Sequence, residues 1–424
     1  MGYARITNCR ICGSDRLNPI IHLGVQALTG VFPRTPDEPV ASGPLELVKC
    51  DEVLGGCGLV QLGQSYPPES MYGHNYGYRS GLNQSMVNHL HARARHAASI
   101  AKPTAGDVIL DIGSNDSTTL RSYPNAGYDL VGMDPTGVKF ASYYPEHVKL
   151  IPEFFNAASF EKAFPGRKAK IVTSFSMFYD LDDPQDFMRQ IHQVLADDGI
   201  WVFEQSYLPS MLDVNAYDTI CHEHLSYYAM RQIKWMTDRA DLKILDVELN
   251  DVNGGSFCIT TAKRSAPYTP AQNRIDTLIQ REEERGLGTP AGFESFKRNV
   301  FAHRGELQSF VRDARRNGKT VYGYGASTKG NVLLQFCEFT RDDIAAIAEV
   351  NTDKFGSFTP QTLIPICSEA DVHARRPDYL LVLPWHFRRG IVEREAAYVA
   401  RGGNLVFPLP HLDLVSRPAT RKAA

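Results

Sequence analysis

Two well-separated segments of this chain repeat one local pattern: an apolar strand, a glycine turn and then a polar stretch that can start a helix. The first is DVILDIGSND at 107–116 and the second KTVYGYGASTKGN at 319–331. A strand that runs straight into a tight turn is the building unit of an open, mostly parallel sheet, which binds ligands outside the carboxyl ends of its strands. The chain is therefore expected to hold two such sheets. Its 424 residues leave room for them, since a domain usually takes roughly 100–200 residues.

Composition agrees with a globular chain that can bury sizeable cores: 43% of the residues are hydrophobic and 22% charged. A net charge of -3 leaves no basic excess that would point to nucleic acid. No apolar run approaches the roughly 20 residues that cross a bilayer, so no membrane partner is expected. The opening MGYARITNCR lacks the apolar segment of a secretory signal, and a cytoplasmic location is expected.

After the first glycine turn, LVGMDP gives a second apolar strand ending in Asp134 and Pro135. That is the place where an acid accepts both hydroxyls of a ribose. The turn itself is GSND and not GxGxxG, so it makes no provision for a dinucleotide's pyrophosphate. This favours S-adenosylmethionine, which carries a ribose and an aminoacyl tail but no phosphate. Asp111 and Gly113 are expected near its amino acid end and Asp134 at the ribose, with Asn115 among the residues that bind it. Upstream, Tyr72, Tyr76 and Tyr78 stand in a glycine-rich loop before a helix, where aromatics either cover a ligand or pack against a neighbour. Downstream, the strand IVTSFSMFYDLDD, the helix PQDFMRQIHQVLADDG and the strand IWVFEQSY continue the alternation of an α/β fold.

Four of the eight cysteines fall within the first 57 residues. Cys9 and Cys12 form a CxxC knuckle, which presents two thiolates to one metal without strain. Cys50 and Cys57 follow, and Gly55, Gly56 and Gly58 let their wider loop fold back. A structural Zn2+ held by these four is expected, with no catalytic role.

In the last third, residues 271–317 carry apolar residues at helical spacing and read as one or two bridging helices. The second glycine turn is not a Walker A loop, because no GK[ST] follows. Gly323, Gly325, Ser327, Gly330 and Asn331 can still turn backbone amides and a side-chain amide toward a ligand, and Lys329 adds charge for a pyrophosphate. A strand ending in Glu349, then Asn351 and Lys354, and later the strand LLVLPWHF follow.

Together the cysteine-rich start, VILDIGSND, LVGMDP, YDTICHEHLSYY at 217–228, NGGSF at 253–257 and VYGYGASTKGN resemble the three-part sugar C-methyltransferases. The resemblance implies an α/β chain in parts: a zinc-binding module (1–75), a Rossmann-like class I methyltransferase core (76–265), a helical bridge (266–317) and a C-terminal Rossmann-like nucleotide-binding domain (318–424). It also implies methyl transfer to a carbon, commonly C3, of a nucleotide-linked 4-keto-6-deoxy sugar. The diphosphate of that sugar would sit on Gly325, Ser327, Lys329, Gly330, Asn331, Glu349 and Lys354.

Such chemistry needs a base for a carbon beside a ketone and a group that stabilises the enolate oxygen. The richest local supply is His222, Glu223 and His224. In an extended segment His222 and His224 share a face, whereas in a helix they diverge. By resemblance His224 is the base, and Glu223 orients it or binds a sugar hydroxyl. Two departures stand out: Cys221 replaces a tyrosine of many relatives, and Asp180 replaces a histidine. Tyr179 or Tyr217 could supply a phenol in their stead. An O- or N-methyltransferase on a nucleotide sugar, and a non-catalytic binding protein, are the alternatives; monomer and dimer both stay open.

Overall fold

The computed structural model describes residues 2–67, 71 and 78–417. At the N-terminus β1 (Ala4–Arg5) pairs with β5 (Gln64–Ser65), beside a sheet of β2 (Leu17–Ala27), β3 (Ser42–Cys50) and β4 (Val60–Leu62). A fourth strand joins that sheet from far along the chain. It is β11 (Ser226–Tyr227), which begins one residue beyond the HEH segment and pairs antiparallel with β4, Ser226 opposite Gln61. The N-terminal module thereby fixes where His222, Glu223 and His224 lie.

The middle sheet takes β6 (Val108–Ile112), β7 (Asp129–Met133), β8 (Val148–Ile151), β9 (Ala169–Phe175) and β10 (Leu195–Ser206) in parallel, with antiparallel β12 (Leu242–Asn250) and β13 (Ser256–Lys263) at one edge. Its order is β12-β13-β10-β9-β6-β7-β8. Every residue of β6 is buried, as a central parallel strand covered on both faces requires. Chain order reverses on either side of β6, so the glycine turn that follows it lies at the switch point of the sheet.

Two expectations shift. The polar stretch after GSND forms turns and only a short 3-10 helix at Leu120–Ser122, because Asn115 (φ 50) and Ser117 (φ 63) take the left-handed conformation and break helical continuity. The helix begun at Pro184 stops at Val194. Its expected tail, LADDG, belongs to β10 instead, with a register shift between Leu195 and Ile200. Gly199 passes so close to β9 that a Cβ there would come within 2.8 Å of the Ala169 carbonyl. Strand pairing has overridden helix propensity at this border.

The third sheet runs β16-β15-β14-β17-β18-β19, from β14 (Val321–Tyr324), β15 (Ile347–Glu349), β16 (Ile366–Ser368), β17 (Tyr379–Val382), β18 (Asn404–Phe407) and an antiparallel β19 (Asp413–Val415). Helices Gln272–Glu284 and Glu294–Arg316 precede it. The second buries Phe296, Val300, His303, Leu307 and Val311, one stripe at helical spacing, against the rest.

The cores interlock. Ile20, Leu23 and Leu45 of the N-terminal sheet pack into one cluster with Val321, Ile347 and Leu381 of the third sheet. Cys9, Ile11 and Cys50 join the core of the middle sheet instead, with Val108, Phe178 and Tyr228. At roughly 1.5–3 kcal/mol for each fully buried large apolar side chain, the N-terminal module is welded to both neighbours. Among the described residues no helix is long and apolar enough to cross a membrane.

Candidate active site

At the end of β6, Asp111 is fully buried and accepts a hydrogen bond from Thr173 Oγ1 at 2.5 Å. Burial, with the nearby Asp134 charge, pushes its carboxyl up to about 7 against the pull of Thr173 and Thr119. Gly113 follows with φ 70, where a Cβ would press on Met177. Across the sheet Asp134 closes the loop: Oδ2 accepts the Asn115 amide at 2.8 Å, and Oδ1 accepts the Thr136 amide and hydroxyl at 2.7 Å each. A carboxylate has roughly four acceptor positions, so these contacts leave room for a ribose hydroxyl. Pro135 opens the 3-10 turn that Asp134 caps. The acidic side chains of Asp111, Asp116 and Asp134 crowd this loop, a set of acceptors suited to a cationic aminoacyl and sulfonium ligand. The residues present therefore fit S-adenosylmethionine. Tyr78 is half exposed beside the loop, its carbonyl accepting from Asn115 Nδ2 at 3.3 Å; Tyr72 and Tyr76 lie outside the described residues.

The HEH segment is a turn, and it splits its three side chains. His222 goes to the N-terminal module, edge-on to Tyr66 with ring centroids 4.7 Å apart and 3.5 Å from Thr29 Oγ1. Burial lowers it to about 4, so it is neutral. His224 goes the other way, into a small pocket closely filled by its own lining of Tyr179, Ser206, Leu208, Met211, Thr219, Ser226 and Tyr227. Its Nδ1 lies 2.8 Å from the Thr219 carbonyl. A carbonyl only accepts, so Nδ1 carries the proton and Nε2 offers a lone pair. Burial first, then the Lys329 charge, lower this imidazole to about 3. Tyr179 stacks obliquely on it, centroids 4.1 Å apart, and burial pushes that phenol well above its ordinary range. Asp180 sits just beyond, close enough to raise both Tyr179 and Cys221.

Glu223 points to the junction of all three parts. Its Oε1 is buried without a hydrogen-bond partner among the described residues, and burial raises the carboxyl to about 7 against the pull of Lys354. Gly30 makes this possible, since a Cβ there would overlap Oε1.

The second glycine turn repeats the closure seen in the first. Gly325 has φ 83, and a Cβ there would meet Pro384 at 2.7 Å. Glu349 Oε2 accepts the Ala326 amide at 2.8 Å while Oε1 accepts the amides of Val350 and Asn351. Ser327 caps the helix Thr328–Phe336 by accepting from the Gly330 amide at 3.0 Å. Lys354 Nζ donates to the Ala326 carbonyl at 2.7 Å, over the Phe32 ring. Asn331 instead reaches the N-terminal module, donating to the Thr29 carbonyl at 2.7 Å. Lys329 leaves its own sheet: its Nζ donates to the Asn253 carbonyl at 2.9 Å, toward His224.

Cys9, Cys12, Cys50 and Cys57 bring their sulfurs within 4.8 Å of one another. Tetrahedral zinc at Zn–S of roughly 2.3 Å requires sulfurs a little under 4 Å apart, so the four fit one Zn2+. Gly56 allows the wide second loop, since a Cβ there would collide with Cys50 Sγ.

Sequence reasoning missed Asp218, Trp385 and His386. Asp218 is buried and accepts from Trp385 Nε1 at 2.8 Å, and His386 lies close enough to Lys329 to feel its charge. All three sit inside segments already singled out, YDTICHEHLSYY and LLVLPWHF, but their meeting depends on a contact between two sheets.

Three family models match the chain in succession. One for a zinc binding domain matches residues 9–72, one for a methyltransferase domain 84–247, and one for a C-methyltransferase C-terminal domain 251–410. Over 420 residues, 98% of each chain, the sequence is 29% identical to the C-methyltransferase NovU of Streptomyces niveus. Among solved structures, the 1,6-didemethyltoxoflavin-N1-methyltransferase of Burkholderia thailandensis matches 41% of this chain and 77% of its own, at 12% identity and a TM-score of 0.32. An S-adenosylmethionine-dependent methyltransferase of Clostridium acetobutylicum matches 42% of this chain and 92% of its own, at 11% identity and a TM-score of 0.32. These structural likenesses are weak, and nothing about the reaction follows from them.

Proposed function

The chain is an S-adenosylmethionine-dependent methyltransferase of the three-domain C-methyltransferase family, and on that premise we propose that it methylates C3 of a nucleotide-linked 4-keto-6-deoxy sugar. The observation that carries the reading is His224: a buried, neutral imidazole with its Nδ1 proton tied to the Thr219 carbonyl and its Nε2 lone pair left as an acceptor. Lowered to about 3, this imidazole is a weak base in the ligand-free chain, so proton removal from carbon draws on the acidity that the neighbouring ketone supplies and on negative charge developing nearby.

In this reading Asp111, Gly113, Asn115 and Asp134 hold the cofactor, which supplies an electrophilic methyl group. The loop Gly325–Gly330, with Glu349 and Lys354, holds the nucleotide and its diphosphate. His224 takes the proton, Glu223 binds a sugar hydroxyl, and Tyr179 holds the ring of His224 in place. His222, packed on Tyr66, supports the turn without reaching substrate.

A substrate deuterated at C3 tests this. Loss of the label with methyl transfer is expected, and His224→Ala is expected to lose turnover while binding S-adenosylhomocysteine within about twofold of the parent. Full retention of deuterium in the methylated product would replace the reading by O- or N-methylation.

A further inference from the structure

Lys329 belongs by sequence to the second glycine loop, yet its ammonium lies on the methyltransferase side of the cleft. One of its three N–H groups is spent on the Asn253 carbonyl, in the turn between β12 and β13. The charged and titratable groups facing it are Asp218, Cys221, His224 and His386. Asp218 is the only acid among these four, and it is held in place: Oδ2 takes the Trp385 indole N–H, while Oδ1 is buried with no hydrogen-bond partner among the described residues. His386 Nδ1 is likewise buried and unpartnered there. One ammonium, hydrogen-bonded to the Asn253 carbonyl, thus lies within electrostatic reach of the proposed base and of two polar atoms whose hydrogen bonding is incomplete among the described residues.

We propose that Lys329 is a catalytic residue whose ammonium binds the substrate's carbonyl oxygen and stabilises the enolate, with the Asn253 carbonyl positioning it and the Asp218 carboxyl, held by Trp385, balancing its charge from beyond hydrogen-bond contact. The inference rests on the C-methylation reading and goes beyond it, because it moves Lys329 from the diphosphate to the reacting ketone. The physical argument is charge balance. A cation near His224 penalises the imidazolium that forms when Nε2 accepts a proton, unless negative charge appears against that cation in the same step. Enolisation delivers that charge. His224 Nε2 takes the proton from carbon, the C–H pair becomes the C=C bond, and the carbonyl π pair moves onto oxygen beside Lys329. When the enolate carbon attacks the methyl group, the C=O bond reforms, the C–S pair leaves on sulfur, and the proton departs from His224 to solvent. Cys221 cannot replace Lys329, since burial pushes its thiol well above its ordinary range and a thiol donates weakly.

The test measures washout of deuterium from the carbon beside the ketone, with S-adenosylhomocysteine bound so that no methyl transfer occurs. The probes are thymidine and uridine diphosphate 4-keto-6-deoxyglucose, with the free nucleoside diphosphates for affinity. Lys329→Met is expected to slow washout about 100-fold or more and to leave nucleoside diphosphate affinity within twofold; Lys329→Arg is expected to recover part of the rate. In the ligand-free protein, NMR titration of His224 is expected to show a higher midpoint in Lys329→Met than in the parent, which also reports that the variant is folded. Asp218→Asn is expected to bring the alkaline fall of the washout rate to lower pH, because Lys329 loses its counter-ion. Washout kept within threefold together with a tenfold loss of diphosphate affinity overturns the proposal and returns Lys329 to the diphosphate. An unmoved His224 midpoint overturns it as well. If the parent chain washes out no label from either probe, the C-methylation reading on these sugars fails and this proposal falls with it, an outcome distinct from a parent and a Lys329→Met variant that exchange equally well.

Discussion

The loop after β6 and the loop after β14 close in the same way: an acid at the end of the next strand, Asp134 or Glu349, accepts a loop amide at 2.8 Å. They differ in what surrounds that closure. The first is crowded by Asp111 and Asp116 and breaks into turns, with Arg79 and Arg121 drawn to Asp116 at 4.0 and 3.8 Å. The second opens a capped helix and carries Lys354 on its own carbonyl. In the proposed function one backbone device serves ligands of opposite charge. An acidic loop favours a sulfonium and an ammonium, and amides at a helix N-terminus beside a lysine favour a diphosphate. The difference can be broken experimentally.

The largest effect should come from the metal. The cysteine cluster packs into the core of the middle sheet, whereas the outer strands of the same module pack into the third. Structural zinc sites contribute on the order of 10 kcal/mol of folding free energy. Chelation, or Cys9→Ser, is expected to lower the melting temperature steeply and to speed hydrogen exchange in β6 and β7 before β14. Earlier loosening of β14 would show that the module supports the nucleotide side first.

Next in size are the paired acids. Hydrogen bonds to a charged group contribute roughly 1.5–3 kcal/mol, so losing the closure and a ribose contact should weaken the ligand about 100-fold. Asp134→Ala is expected to do this to S-adenosylhomocysteine and to spare nucleoside diphosphate, while Glu349→Ala does the reverse. Calorimetry on both variants reads the two affinities. If each variant weakened both ligands equally, the loops would be one site and the comparison would fail.

A smaller effect separates the loops by pH. The Asp111 carboxyl, raised to about 7 chiefly by burial, keeps its proton in the folded chain over a range where the unfolded chain has lost it. Stability is therefore expected to fall as pH rises from the ordinary carboxylate range to about 7, and Asp111→Asn removes that fall. Cofactor binding runs the other way. The carboxylate that attracts an ammonium forms above about 7, so S-adenosylhomocysteine should bind up to roughly tenfold more tightly at pH 8 than at pH 6, with no such change in Asp111→Asn. Nucleoside diphosphate binding should not depend on Asp111 at all.

Both loops could be seen in the sequence because each is local: strand, glycine and acid follow one another within a few dozen residues. The cysteine set was visible for the same reason, two short pairs of one residue type. What could not be seen depends on contacts between distant segments. Nothing near Ser226 signals that it pairs with Gln61, a contact that ties the end of the HEH turn to the N-terminal module. Lys329 was read with its own loop because spacing cannot show that its side chain crosses to Asn253. The border at Leu195 was read as helix because propensity is a local quantity, and a neighbouring strand decided it.

The smallest expected effect lies where the two loops meet. Gly30, from the N-terminal module, passes between Glu223 and Thr328 of the second loop. Its backbone is not in the left-handed region, so alanine is allowed there, and the obstacle is the Glu223 carboxyl alone. A side-chain end can swing aside, so Gly30→Ala should cost no more than about 1 kcal/mol of stability. The displaced carboxyl, however, no longer aims at the sugar. The KM for the nucleotide sugar is expected to rise several-fold, with S-adenosylhomocysteine affinity unchanged. Glu223→Gln in the same background should add little, because the group is already out of position. If the cofactor affinity fell instead, Glu223 would belong to the acidic loop, and the division between the two sites would have to be drawn on the other side of the HEH turn.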